Sequence, residues 1–208
     1  ADSDYFMYIN SNISGGKTNQ EINEKINHNI SFNEDGAITH NVAIFKEHTG
    51  DGEWPSGINR SYARFYLPLG SKLISAENFD KNESIIDGCL TTEDQESQKT
   101  TLECMDIYQE NGKTVIGGWH AIEPGEKSSL KISYLLPFKL KSWPAPDRGY
   151  SLYIQKQAGV GKQQVAIETN YLTKPSPLKD FFGLSRGDQM EPFVKSFDLT
   201  KDEKIEIF

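Results

Sequence analysis

A chain of 208 residues can bury roughly 70 per cent of the surface its unfolded form exposes, so it can hold a core without disulfide or metal staples. Its 22 basic residues against 30 acidic ones, net −8, argue against a nucleic-acid or anionic-membrane partner, whose phosphates such a surface repels. No apolar run reaches about eighteen residues, so insertion of this chain into a membrane is not expected. It starts at Ala1 rather than Met, as expected for a processed or excised piece of a longer protein.

Residues 1–20 hold one apolar patch, 5–9, that reads as a short strand followed by a loop. Gly15-Gly16-Lys17-Thr18 has the ending of a phosphate-binding loop, but the first glycine of that motif falls on Ser11 and no helix follows, so an ordinary loop is expected. From 26 to 44 the even positions carry Ile26, His28, Ile30, Phe32, Ile38, His40, Val42 and Ile44. Asn33-Glu34-Asp35-Gly36 between the two halves reads as a hairpin loop, a type I turn followed by Gly36 in the left-handed region. Pairing Asn33 with Ala37 sets Phe32 opposite Ile38, Ile30 opposite His40 and His28 opposite Val42. The two imidazoles become diagonal neighbours on one face. With no third ligand in the pattern, two satisfied, partly buried histidines are expected rather than a metal site.

Residues 48–60, HTGDGEWPSGINR, form a Gly/Pro-rich loop carrying Trp54, an aromatic that serves either as a ligand platform or as a lid on the core. Ala63, Phe65 and Leu67 then alternate with Tyr62, Arg64 and Tyr66 until Pro68-Leu69-Gly70 turns the chain into a strand over 73–76. Asp80, Asn82, Ser84 and Asp87 approach calcium-loop spacing, but the sixth-position glycine is absent and Thr91 stands where a bidentate glutamate is needed, so an acidic loop is expected. Cys89 and Cys104 flank the polar stretch TTEDQESQKTTLE. An oxidising compartment would allow a disulfide across that neck, and the alternative is two buried thiols; neither has a His or further Cys at metal-ligand spacing.

Residues 102–108 and 114–122 read as strands around the turn Asn111-Gly112. The stretch 113–138 reads as a hairpin whose chain reversal at 123–126 suits Pro124 and Gly125, with Leu130, Ile132, Tyr134 and Leu136 alternating against Ser129, Lys131 and Ser133. Trp119 and the apolar positions of 130–136 are expected in the core, with Gly117 and Gly118 structural. A proline-rich connector, KSWPAPDRG, carries Trp143 and leads to a second hairpin, 150–155 with 164–170. A long loop over 173–194 follows, containing Arg186-Gly187-Asp188, whose match to an adhesion tripeptide is expected by chance. The last strand, 197–208, is interrupted by a turn at Lys201-Asp202. Asn-x-Ser sequons at Asn12, Asn29, Asn59 and Asn82 matter only in a host that glycosylates them.

Helical periodicity is missing almost throughout, so the expected class is all-β: an immunoglobulin-like antiparallel sandwich over 21–140, preceded by an N-terminal strand and loop in 1–20. Additional C-terminal strands in 141–208 are expected to pack on the same sandwich.

Two resemblances sharpen this. NVAIFKEHTG, FYLPLGSKLISAE and GGWHAIEPGEKSSLKISYLLP, in that order over residues 37–137, resemble bacterial immunoglobulin-like modules of surface proteins. DYFMYINSNISGGKTN, RFYLPLGSKLISAE, NGKTVIGGWHAIEPGE and YSLYIQKQAG resemble the C-terminal part of the uncharacterised bacterial family known as domain of unknown function 4012. That second likeness implies the terminal β domain of an extracytoplasmic protein anchored in the membrane by a segment outside this chain, and it transfers no catalytic residues.

No constellation reaches a catalytic or cofactor-binding motif. The function expected is a non-enzymatic binding or spacer module of a cell-envelope protein, engaging a glycan or another envelope protein through Trp54 or Trp143. The alternative is a hydrolase acting on envelope polysaccharide through two carboxylates, which requires one of raised pKa in a cleft.

Overall fold

A computed structural model describes residues 4–12, 17–54, 56–80, 105–141, 149–171 and 191–208. Among them run β1 (Asp4–Asn12), β2 (Ile22–Phe32), β3 (Ala37–His48), β4 (Asn59–Pro68), β5 (Lys72–Glu77), β6 (Asp106–Glu110), β7 (Lys113–Ile122), β8 (Lys127–Lys139), β9 (Ser151–Gln155), β10 (Gln163–Tyr171), β11 (Val194–Leu199) and β12 (Glu203–Glu206). They make two six-stranded sheets, the first in the order β12-β9-β1-β4-β7-β6 and the second β11-β10-β2-β3-β8-β5. The fold is an all-β sandwich.

Period-two patterning builds it. β1 buries Asp4, Phe6, Tyr8 and Asn10 and turns Tyr5, Met7 and Ile9 outward. β2, β3 and β8 bury their even-numbered side chains over most of their length and β4 its odd-numbered ones, so Phe6, Ile30, Ile44, Phe65, Ile116 and Leu130 meet between the sheets at 1% exposure or less. Each such side chain contributes roughly 1.5–3 kcal/mol relative to an exposed position. The β2–β3 ladder has the register its loop dictates, Phe32 opposite Ile38, Ile30 opposite His40 and His28 opposite Val42. Gly36 takes φ +78° and donates to the Asn33 carbonyl at 2.9 Å. Asn111 and Gly112, at φ 49° and 69°, make the tight turn from β6 to β7.

Two expected hairpins are not hairpins. The turn after β7 forms as its residues require, with Gly125 at φ 78° and Glu126 N–H on the Glu123 carbonyl at 3.1 Å. Yet β7 lies in the first sheet and β8 in the second. The turn is an arch, docked on the end of β3 by His48 N–H to the Glu126 carbonyl at 2.9 Å and Gly125 N–H to the His48 carbonyl at 3.0 Å. Both strands carry an apolar row, and facing one another across the core buries both rows. β9 and β10 also separate: β9 joins β1 in parallel and β10 joins β2 in parallel, so both sheets are mixed rather than antiparallel. The interrupted last strand divides likewise, β11 pairing with β10 and β12 with β9. Trp119 is a further departure. It pairs with Tyr62 and stays partly exposed, because the inward side chains of β7 are Ile116, His120 and Ile122.

A Cβ at Gly36 would meet the Leu140 carbonyl oxygen, whereas one at Gly112 meets nothing within 4 Å; both residues have positive φ. Gly112→Ala is expected to cost about 1–2 kcal/mol from backbone conformation alone. Gly36→Ala should cost clearly more, measured by urea unfolding of the two variants side by side; equal losses would show that the Leu140 contact relaxes freely.

Candidate functional site

Trp54 stands on the loop between β3 and β4 and is 89% exposed. His48 at the end of β3 pins that loop, accepting Gly50 N–H at Nδ1 (3.1 Å) and meeting the Gly57 carbonyl at Nε2 (2.9 Å), which sets the Nε2–H tautomer. Trp143, Cys89, Cys104, the later residues of the calcium-like series and the Arg-Gly-Asp tripeptide lie outside the described residues. Asn59 of one sequon is fully buried, donating to Thr18 Oγ1 at 2.9 Å and Asn19 Oδ1 at 2.8 Å, which leaves no room for a glycan on it.

The pairing registers assemble a feature that no single strand displays. Tyr5 faces Tyr153, Met7 faces Tyr66, Val115 lies between Tyr66 and Tyr108, and Tyr62 faces Trp119. Residues directly opposite in a ladder share a face. The outer face of the first sheet therefore carries Tyr5, Tyr62, Tyr66, Tyr108, Trp119 and Tyr153. The Tyr5 and Tyr153 rings lie 6.1 Å apart and 17° from parallel, and Trp119 meets Tyr62 edge-on at 5.2 Å. Val115 is fully buried although it points to this outer side. Gly117 has no side chain where the Tyr62 hydroxyl lies. The corresponding face of the second sheet presents Asn27, Asn29, Ser31, Asn41, Ser129 and Ser133, with Phe45 as its aromatic among the described residues.

Polar contacts hold these rings in place. Tyr62 O–H donates to Asp106, Tyr66 O–H to Glu110 at 2.7 Å, Tyr5 O–H to Gln155 at 2.6 Å and Tyr153 O–H to Asp202 at 2.9 Å. Burial, then the nearby Asp202 and Tyr153, pushes the Tyr5 phenol up to about 12; burial, then the Glu110 bond, does the same for Tyr66. The phenols stay protonated donors. Arg64 sits among them, its Nη1 3.3 Å from the Tyr66 hydroxyl and its Nη2 3.3 Å from Ser11 Oγ. Lys113 Nζ lies 4.4 Å from the centre of the Tyr5 ring. Sequence periodicity assigns Tyr62, Arg64 and Tyr66 to the side away from the core; that they meet Tyr5, Tyr108, Trp119 and Tyr153 follows from the strand order.

The two histidines lie elsewhere, at the centre of the sandwich. His28 Nε2 and His40 Nδ1 are 2.6 Å apart, and His40 Nε2 is 3.4 Å from Asp4 Oδ2 and 3.3 Å from the Tyr150 hydroxyl, which itself donates to Asp4. They are fully rather than partly buried, and His28 Nδ1 has no hydrogen-bond partner, because the row they occupy points into the middle of a two-sheet core. Burial pulls His28 down to about 3 and, with His28 adding to it, lowers His40 well below the usual imidazole range. Burial pushes Asp4 up to about 7 against the bonds from Tyr150 and from its neighbour's N–H. No group of three or more His, Cys, Asp or Glu able to hold a metal occurs among the described residues. A second buried polar group joins Lys46 Nζ to Glu24 Oε1 (3.4 Å) and Ser61 Oγ (3.3 Å). An open cleft of about 630 Å³ is lined by Phe45, Phe79, Asp80, His120, Lys127 and Ser129.

Trp54→Ala is expected to change folding stability by no more than about 0.5 kcal/mol, since an exposed side chain has little burial to lose; a melting temperature lowered by several degrees would show that Trp54 is a lid. Asp4 and His28 set opposing pH dependences. Asp4 binds its proton up to about 7 in the fold against an ordinary 3.8. Its contribution is fully present below the ordinary value and is lost as pH rises to about 7. His28 stays neutral down to about 3 against an ordinary 6.5, so its contribution is present above 6.5 and lost as pH falls towards 3. Asp4→Asn removes the first effect: relative to the parent, its stability should improve by up to about 4 kcal/mol between pH 4 and 8. Urea titrations across that range check this, and a pH-independent difference would refute it.

No family model matches this sequence, and no curated protein sequence matches it significantly. Among solved structures, a candidate nutrient-binding protein of Legionella pneumophila is similar with a TM-score of 0.41 and 6% identity, over 98% of this chain and 70% of that one. An M1 zinc metallopeptidase of Deinococcus radiodurans gives a TM-score of 0.32 at 10% identity over 86% of this chain, which spans 39% of the peptidase. A candidate protease of Parabacteroides distasonis gives 0.30 at 10% identity, over 72% of this chain and 29% of its own.

Proposed function

We propose that this chain is a non-enzymatic binding module of an extracytoplasmic, envelope-tethered protein, and that it holds a glycan on the outer face of its first sheet. The observation that carries the reading is the gathering of Tyr5, Tyr62, Tyr66, Tyr108, Trp119 and Tyr153 on that face while the opposite outer face carries Phe45. Aromatic rings fixed on a sheet offer flat apolar area at little entropic cost, which suits the apolar faces of sugar rings. Phenol, guanidinium and carboxamide groups between them supply hydrogen bonds for sugar hydroxyls. Trp54, on the loop that leads into β4, is a further contact. The envelope setting is supported by the likeness of the sequence to extracytoplasmic bacterial modules. The carboxylate-hydrolase alternative needs a carboxyl of raised pKa in a cleft; Asp4 has the raised pKa and is 1% exposed in the core.

The double substitution Tyr5→Ala with Tyr153→Ala is expected to weaken glycan binding about five- to 150-fold, since two stacking rings contribute about 0.5–1.5 kcal/mol each. Phe45→Ala on the other face should leave it unchanged. A glycan array followed by calorimetry on the best binder measures both. The reading fails if no glycan is retained, or if the double variant binds as the parent does.

A further inference from the structure

We infer that the glycan is anionic, a polymer bearing uronic-acid carboxylates, and that Arg64 and Lys113 recognise those carboxylates. The inference rests on the glycan-binding reading of the aromatic face and adds the charge of the ligand.

Carboxylates outnumber cations in this protein, 30 to 22, so a lysine or arginine on a sheet surface readily finds one. On the second sheet Lys131 pairs with Glu77 at 3.0 Å, Lys162 with Asp198 at 3.1 Å and Lys127 with Glu47 at 2.9 Å, while Lys25, Lys72 and Lys195 pair with no described carboxylate. On the aromatic face Lys204, opposite Tyr153, pairs with Glu206 at 3.0 Å, and the two cations nearest the centre of the rings do not pair. Of its other carboxylates, Asp106, Glu110 and, at its margin, Asp202 each accept a tyrosine hydroxyl. Arg64 makes no ion pair with a described carboxylate; its two hydrogen bonds go to the neutral oxygens of Tyr66 and Ser11, both at 3.3 Å, its guanidinium carbon lies 6.0 Å from the centre of the Tyr66 ring, and its buried Nε has no hydrogen-bond partner. Lys113 rests on the Tyr5 ring, and no described carboxylate pairs with it.

Desolvation strengthens the case for Arg64. Its guanidinium is partly buried among rings, where a charge interacts more strongly than in bulk water and an incoming carboxylate gains more from meeting it. Arg64 stands in β4, near the middle of the sheet, and Lys113 opens the neighbouring β7 opposite Pro68. Their backbones are about 14 Å apart, taking a rise of about 3.3 Å per residue and about 4.8 Å between strands. Tyr66 and Val115 lie between them. One chain lying along the face beside the Tyr5 ring would meet both cations, which a single small anion could not do. The overall charge of −8 disfavours indiscriminate polyanion binding, so any such affinity has to be local.

Calorimetry or affinity electrophoresis against polygalacturonate, the same polymer fully methyl-esterified, and a neutral β-glucan tests the inference on the whole chain. Polygalacturonate should bind at least tenfold more tightly than its ester, and 0.5 M salt should weaken it severalfold while leaving the neutral polymers unaffected. Arg64→Gln and Lys113→Gln should each lose about five- to twentyfold for polygalacturonate alone. Arg64→Lys should retain most of the affinity, which separates loss of charge from loss of fold, and Lys131→Gln on the opposite face should have no effect. Equal binding of acidic and esterified polymers overturns this inference and leaves the glycan reading standing. Failure to bind any of the three here, or any sugar on the array, overturns both.

Discussion

One chain of hydrogen bonds ties the two sheets through their shared core. Asp4 and Tyr150 reach in from the side of the first sheet, and His40 and His28 from the second. With His28 Nε2–H donating to His40, and His40 Nε2–H directed at Asp4 and Tyr150, both imidazole N–H groups have acceptors, and one imidazole lone pair, on His28 Nδ1, is left over. In a medium of low polarity such bonds are strong only while every member is in place, so they act on specificity: a slip of one residue in β2 or β3 would send the imidazoles to the outer face. Phe6 edge-on to His28 at 4.7 Å and Tyr134 stacked on His40 at 4.8 Å wall the chain off from solvent. The level of each inward side chain is thereby fixed across the sandwich, and the outward positions, the aromatic ones included, follow from it.

Period-two patterning made much of this legible in the sequence. The register of β2 on β3, the Asn111-Gly112 turn, the positive φ of Gly36 and Gly125 and the inward rows of β4 and β8 all follow from local chemistry, and the structure has them. What local chemistry does not carry is which sheet a strand joins. A turn such as 123–126 reverses the chain equally well within a sheet or between sheets, so β7 with β8 and β9 with β10 read as hairpins and are arches. Trp119 departs from the expected core for a related reason: it is the bulkiest residue of β7, but the parity of the strand places His120 inside.

The aromatic face was invisible in the sequence on the same grounds. Tyr5, Tyr62, Tyr108 and Tyr153 are far apart in the chain and become neighbours through four different ladders, one of them the parallel pairing of β1 with β9. Trp54, a tryptophan on a loop, is exposed, but the larger collection of rings lies on the strands. Rings on strands are held more rigidly than rings on a loop, so less freedom is lost when a ligand settles on them.

The two parallel pairings bear on how the chain reaches this structure. β1 and β2 lie near the N-terminus, yet each has as one ladder partner a strand from the last third of the sequence, β9 for one and β10 for the other. Contacts of such high order are slow to form, because a long loop must close before they reward it. Until β9 and β10 arrive, one edge of each sheet presents unpaired backbone groups, and the core behind them is open at Leu152, Ile154, Val165 and Ile167. During synthesis the chain therefore passes through a state in which β1 and β2 are edge strands over an open core, and the last sixty or so residues act as the clasp that pairs them and covers it.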